Sequence, residues 1–213
     1  MAQPRPPLLL VHEDDDLVAV SKPSGVAVIP ERGGDPDACL RRRLEAQLGR
    51  RLWVVHRIDR DASGLVVFAE TAAAHRALSL AFEHREVTKT YVAFTAGTPE
   101  SEHGTIDVAL HPARRGKSRP AGPGEPQGQE ATTAYAVKET WRREGAAICL
   151  LEVRPRTGRR HQIRVHLRFL GAPLLFDRLY GRGLQPPALE ESPCGRLALH
   201  AQRLELPAPG GER

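Results

Sequence analysis

The feature that most restricts this chain is a charged segment, His56-Arg57-Ile58-Asp59-Arg60-Asp61, enclosed by two apolar runs, Trp53-Val54-Val55 and Leu65-Val66-Val67-Phe68-Ala69. A short continuous apolar run reads as a strand buried on both faces. The segment before it is then a loop between two strands, which sets several charges beside a core. Two readings compete. In the first, Asp61 or Ser63 satisfies backbone N–H groups of a salt-bridged turn while Gly64 takes an unusual backbone angle, and most Asp-containing turns are of this structural kind. In the second, Asp59 is a carboxylate held in place for chemistry.

The flanking sequence predicts an alternation of strands and helices. Residues 8–11 and 17–20 read as strands, the second ending at Ser21-Lys22-Pro23-Ser24-Gly25, where Pro and Gly favour a tight turn. A strand is expected to resume over 26–29. Leu40, Leu44 and Leu48 at helical spacing predict an amphipathic helix over 38–48, and residues 72–83 read as another. Residues 87–95 are rich in β-branched and aromatic residues and predict a strand, on which Lys89 and Tyr91 share one face. Further strands are expected at 131–137, 147–153 and 197–206. A helix over 160–170 would carry Ile163, Leu167 and Leu170 on one side and end at Gly171. Residues 112–129, crowded with Pro, Gly and basic residues, predict an extended or mobile loop.

Composition narrows the class. The chain has 213 residues, 40% hydrophobic and 27% charged, which suits one globular domain over 1–213 that needs no covalent staple. Cys39, Cys149 and Cys194 form no CxxC pair, so neither a disulfide framework nor a zinc ribbon is signalled and a reducing cytoplasm is expected. No apolar run approaches the roughly 18 residues of a membrane span, and residues 1–7 lack the layout of a signal peptide.

The 31 Lys and Arg exceed the 26 Asp and Glu, for a net charge of +5, an excess that suits a polyanionic partner without requiring one. Its distribution is more telling. Arg154, Arg156, Arg159, Arg160, Arg164 and Arg168 fall within fifteen residues, and Arg114-Arg115-Gly116-Lys117-Ser118-Arg119 forms a second cluster. The run Arg156-Thr157-Gly158-Arg159-Arg160-His161 opens the expected third helix. Unpaired N–H groups at a helix start attract phosphate, so phosphate binding is expected at 157–160, and Arg159, Arg160 and His161 are candidates for substrate binding. Against this stands an exposed basic helix with no ligand. A metal is not expected, because His161 and His166 lie five residues apart and on different helical faces.

Four of these segments together resemble the ordered motifs of the RluA-type pseudouridine synthases. Glu13-Asp14-Asp15-Asp16-Leu17-Val18-Ala19-Val20-Ser21-Lys22-Pro23-Ser24-Gly25 resembles the opening strand and KPxG turn of that family. His56-Arg57-Ile58-Asp59-Arg60-Asp61-Ala62-Ser63-Gly64-Leu65 is similar to its HRLDxxTSGL signature. Val87-Thr88-Lys89-Thr90-Tyr91 resembles its KxY strand. Residues 156–166, followed by Gly171-Ala172-Pro173-Leu174, resemble its GRxHQIRxH and lGxP segments. Two departures stand out: Ala62 occupies a position where the family usually has Thr, and Phe176-Asp177 one where it often has Gly-Asp.

The resemblance implies an α+β pseudouridine synthase fold, with a mixed, largely antiparallel sheet, flanking helices and a central active-site cleft. It implies an isomerase that converts uridine to pseudouridine in structured rRNA or tRNA with neither cofactor nor metal. Asp59 would be the essential carboxylate, as a nucleophile at C1′ or as the group assisting a glycal route at C2′. Arg164 would keep it ionised and Tyr91 would stack on the uracil, while Lys89 would add charge at the pocket edge. Arg57 would fill the place of the flipped base, and His56 would support the loop at the substrate. The first motif begins near residue 13, so no separate N-terminal RNA-binding domain is expected, and monomer is the default state.

Two rivals remain at this stage. One is a catalytically silent RNA-binding protein on the same fold, which replacement of Asp59 or Tyr91 would favour. The other is a carboxylate-dependent nucleoside hydrolase, which needs a second carboxylate as acid. Asp61 is the near candidate for that role, and its spacing suits a turn better.

Overall fold

The computed structural model describes residues 6–122, 124–126, 128–143, 146–181, 183 and 195–207, without the side chains of Arg115 and Arg143. The chain gathers into two compact units, Met1–Val87 with Leu204–Arg213, and Thr88–Arg203. Both combine antiparallel strands with helices, as expected of the α+β class. Cys194 and the polar end from residue 208 onward lie outside the described residues.

In the first unit, β1 (Leu9–Glu13) pairs with β2 (Leu17–Lys22), and β2 pairs with β4 (Ser63–Ala69). The short β3 (Trp53–Val54) also joins β4. The two central strands are apolar on both parities because both faces are covered: Val18, Val20, Val66 and Phe68 are fully buried on one, and Leu17, Ala19, Val67 and Ala69 are buried on the other. Ala74 and Leu78 of α2 (Ala72–Glu83) pack on the second set, together with Trp53, Val55, Leu204 and Leu206. Thr71 caps α2 by accepting from the Ala74 N–H, so its boundaries match those read from the sequence.

The helix expected over 38–48 is α1 (Leu40–Leu48), stopped by Gly49 in the left-handed region. Its start explains a strand that does not form. Residues 26–29 were expected to be extended and paired, yet they belong to no strand. Their carbonyls are used elsewhere: Ala27 and Val28 accept from the N–H groups of Leu40 and Arg41, and Val26 accepts from the Lys22 ammonium. Backbone groups spent on a helix start and a lysine are not available for a ladder.

The second unit is built on β5 (Thr88–Ala96), β10 (Ala146–Pro155), β9 (Thr132–Arg143) and β6 (His103–Asp107), paired antiparallel in that order. β11 (Leu199–Glu205) starts beside β5. The loop expected over 112–129 is corrected in part. Leu110–Pro112 (β7) and Ser118–Pro120 (β8) form a small hairpin around a 3-10 turn at Arg114–Gly116. It is ordered by tertiary contacts, since Leu110 is buried with Ala131, Val165 and Tyr180, and the Ser118 N–H donates to the Tyr180 hydroxyl at 2.8 Å. The last helix, α3 (Gln162–Phe169), is shorter than the expected 160–170 because His161 sits at φ +55 immediately before it.

Candidate active site

The Asp59 loop of the first unit is held from beneath by Lys22. This lysine is 1% exposed, and its ammonium donates to three carbonyls: Pro23 at 2.9 Å, Val26 at 2.8 Å and Arg60 at 2.9 Å. The Gly25 N–H donates to the Arg60 carbonyl at 2.9 Å, the Arg60 Nε donates back to the Gly25 carbonyl, and the Ser24 hydroxyl donates to the Asp61 carbonyl. The Lys22-Pro23-Ser24-Gly25 turn, with Gly25 at φ +83, is thereby bonded to the backbone on the C-terminal side of Asp59.

Burial lowers the Lys22 ammonium from 10.5 to about 8, a shift opposed by the nearby Asp59 and Asp61 carboxylates. Lys22 was not among the residues singled out from the sequence. A lysine normally lies at the surface, and the available signal was the KPxG turn itself.

The other side of the loop is anchored by His56, whose Nε2 accepts the Val67 N–H at 3.0 Å and whose ring stacks on Phe82 with centroids 4.7 Å apart. Ile58 and Ala62 are buried, Asp59 is half-buried, and Arg57, Arg60 and Asp61 are exposed. Gly64 sits at φ +115, the unusual angle anticipated at that position. Ala62 is 1% exposed, so the methyl group that stands in place of the usual Thr faces packed surroundings.

In the second unit, Lys89 and Tyr91 lie on β5 two residues apart, both half-buried, with the buried Thr90 between them on the opposite face. The Lys89 ammonium donates to the Thr157 carbonyl at 3.3 Å. Arg164 on α3 is 3% exposed and donates through two nitrogens to Asp177, each at 2.8 Å. Asp177 also accepts the backbone N–H groups of Leu179 and Tyr180. Its carboxyl lies below the usual range, because these bonds and the Arg164 charge outweigh burial, which acts to raise it. In the Phe176-Asp177 pair that departs from the family's usual Gly-Asp, Asp177 is the buried partner of Arg164, and Phe176 takes φ +58, a conformation native to the glycine more usual there.

Arg164 also lies over the Tyr180 ring, 5.1 Å from its centroid, and the Tyr180 hydroxyl is 2.9 Å from His161 Nδ1. The expected phosphate cradle at 157–160 is organised differently from a bare helix start. The Gln162 side chain accepts from the Thr157 hydroxyl and the Arg159 N–H, and donates to the Thr132 carbonyl and the Thr133 hydroxyl. Arg159 and Arg160 remain exposed, Arg159 with its Nε on the Glu130 carbonyl. Among the described residues, no three His, Cys, Asp or Glu side chains gather as a metal-binding group, and no helix is long and apolar enough to cross a membrane.

Comparison with known proteins agrees with this arrangement. The family model described as RNA pseudouridylate synthase matches residues 16–169. A ribosomal large subunit pseudouridine synthase D of Xanthomonas campestris pv. campestris is 37% identical over 220 residues, covering 95% of this chain and 62% of that protein. The protein of the same name from Nitrosomonas europaea is 36% identical, covering 95% of this chain and 59% of its own. The chain thus spans about three fifths of the length of these relatives. Among solved structures, human RNA Pseudouridylate Synthase Domain Containing 1 superposes with a TM-score of 0.78 at 25% identity, covering 97% of this chain and 82% of that one. With the charged loop, the KxY strand and the Arg164 helix all falling within or beside the matched segment, the chain belongs to the RNA pseudouridylate synthase family.

Proposed function

We propose that this chain isomerises uridine to pseudouridine in a structured RNA, with Asp59 as the reacting carboxylate. The observation that carries the proposal is the pinning of the Asp59 loop by the buried Lys22 ammonium and by His56, which fixes the backbone that bears the half-buried carboxylate. A carboxylate whose backbone is fixed before substrate arrives loses little freedom on reaching the transition state. The reaction breaks the C1′–N1 bond, turns the uracil and forms a C1′–C5 bond, after which C5 loses a proton and N1 gains one. Nothing is oxidised or added, so the proposal invokes neither cofactor nor metal.

Tyr91 supplies the aromatic face that retains the detached base, and Arg164 is the basic residue that the resemblance to the family assigns to the same reaction. Arg57, exposed on the loop two residues before Asp59, is suited to enter the space of an extruded base. Lys89, Arg159, Arg160 and His161 contribute the charge and hydrogen bonding of an RNA-facing surface, and phosphate contacts of this kind position RNA without reading its sequence. Ribosomal RNA is the first substrate to test, because the relatives cited above are named for it, and transfer RNA is the second. Cys39 and Cys149 are buried free thiols, which supports action in the reducing cytoplasm.

The test is tritium release from RNA carrying 5-tritiated uridine, comparing the wild type with Asp59→Asn. Release by the wild type alone, with pseudouridine in the product, is expected. Turnover by the variant would eliminate Asp59 as the reacting group. Release of free uracil would point to hydrolysis, and RNA binding without release from either pool would favour a silent binding protein.

A further inference from the structure

A group of arginines on the first unit plays no part in the proposed chemistry. Arg41, Arg42, Arg50 and Arg51 line one open depression beside α1, with Glu45 and Gly49 completing its wall. Its carboxylate is already engaged, since Glu45 accepts from Arg42 at 3.2 Å and from the Leu52 N–H at 3.1 Å. Arg50 is paired with Glu13 and Glu70. Two cations remain. The Arg41 guanidinium has no carboxylate partner among the described residues, and its Nε is buried without a hydrogen bond. Arg51 is exposed, and its guanidinium lies 5.5 Å from the centroid of the Trp53 ring, again with no carboxylate partner among the described residues. Two uncompensated guanidinium groups facing the same open space form a site for phosphate oxygens, to which their paired N–H groups are geometrically matched.

The register of the first unit places the Arg50 end of this depression far from Asp59. Lys22 pairs with Gly64 at the loop end of the β2–β4 ladder, whereas Leu17 pairs with Ala69 at the other, and Glu70, the partner of Arg50, follows Ala69 directly. The seven residues Ser63–Ala69 span about 20 Å at a strand's rise per residue. We infer that the depression binds phosphates of an RNA stem that continues about 20 Å beyond the uridine at Asp59, a second RNA contact separate from the reacting site. This inference rests on RNA being the substrate, as proposed above.

The test uses the full chain and two RNAs with the same target uridine, one ending close to it and one with a stem extended by more than this reach. The variant is Arg41→Gln/Arg51→Gln, with Arg51→Gln alone as the exposed single change should the pair unfold. Each phosphate contact contributes a slope of about 0.9 to the dependence of log affinity on log salt. For the extended RNA, the double variant is expected to bind with a slope about 2 units shallower and the single variant about 1 unit shallower. The short RNA should bind wild type and variants alike, and the turnover rate at saturating RNA should not change. Equal slopes for wild type and variants on the extended RNA, or equal losses on both RNAs, would overturn the inference. An unaltered salt slope alongside normal pseudouridine formation would reject this contact and leave the isomerase reading standing. A shallower slope in a chain that forms no pseudouridine would keep the contact and reject the isomerase.

Discussion

A lysine that is 1% exposed must place its ammonium somewhere, and Lys22 places it on three carbonyls, one of them from the residue after Asp59. Lys22→Met keeps much of the side-chain volume and removes every donor. Leaving those carbonyls unsatisfied is expected to cost about 3 kcal/mol in urea unfolding, with pseudouridine formation falling further than stability alone explains. The titration has a definite sign. The folded value of about 8 lies below the ordinary 10.5, so between these the unfolded chain holds more protons, and this group adds stability as pH rises through that window. Subtracting the Lys22→Met stability profile from that of the wild type should reveal this rising contribution. A flat difference would mean that the ammonium is not desolvated.

Arg164 and Asp177 are a second case in which removing one partner differs from removing both. Their side chains are 3% and 1% exposed. Asp177→Asn leaves a buried guanidinium without its countercharge and is expected to destabilise by roughly 3–5 kcal/mol. Combining Arg164→Met with Asp177→Leu should cost less stability than Asp177→Asn alone while abolishing activity. A double variant as unstable as the single one would argue against charge burial as the source of the loss.

At the scale of elements, α3 is fastened to β9 and to the approach from β10 by one continuous polar network. The Gln162 amide donates to the Thr133 hydroxyl, which lies 2.9 Å from His166 Nδ1, while His166 Nε2 lies 2.9 Å from the Val108 carbonyl. The Val108 carbonyl can only accept, so the proton sits on Nε2, and the neutral ring satisfies every group in the chain. Burial lowers the His166 value, against the opposing pull of the Val108 carbonyl and the Asp107 carboxylate. Below pH 6.5 the unfolded chain takes up a proton that the folded one resists, so stability falls as the solution becomes more acidic. Part of that sensitivity should disappear in His166→Gln, as read by urea midpoints at a series of pH values. His200, also lowered by burial, adds a slope of the same sign that this variant retains. An unchanged acid slope would show that His166 titrates normally.

At the scale of the whole molecule, binding and chemistry should separate. Asp59→Asn removes one carboxylate charge and no arginine, so RNA affinity and its salt slope should stay near those of the wild type while turnover is lost. A variant that loses both together would mean that Asp59 organises the RNA-binding surface instead of reacting.

Periodicity and local chemistry made much of the architecture legible. The α2 boundaries, the strands on either side of the Asp59 loop and the shared face of Lys89 and Tyr91 follow from side-chain spacing and caps, which act within a few residues. What stayed hidden depends on partners distant in sequence. Residues 26–29 look like a strand until their carbonyls meet Lys22 and the start of α1. The 112–129 segment looks unstructured until Leu110 and Ser118 meet Tyr180. The arginines at 154–168 look like one basic face until Arg164 is buried on Asp177 and Arg159 reaches Glu130. By itself, the sequence determined the class of fold, the charged loop and the family, because these rest on local pattern and on the order of motifs. Tertiary structure alone decided which charges are buried and paired, which remain open to a polyanion and which lysine fixes the Asp59 loop, because desolvation and pairing depend on what the rest of the chain brings to each group.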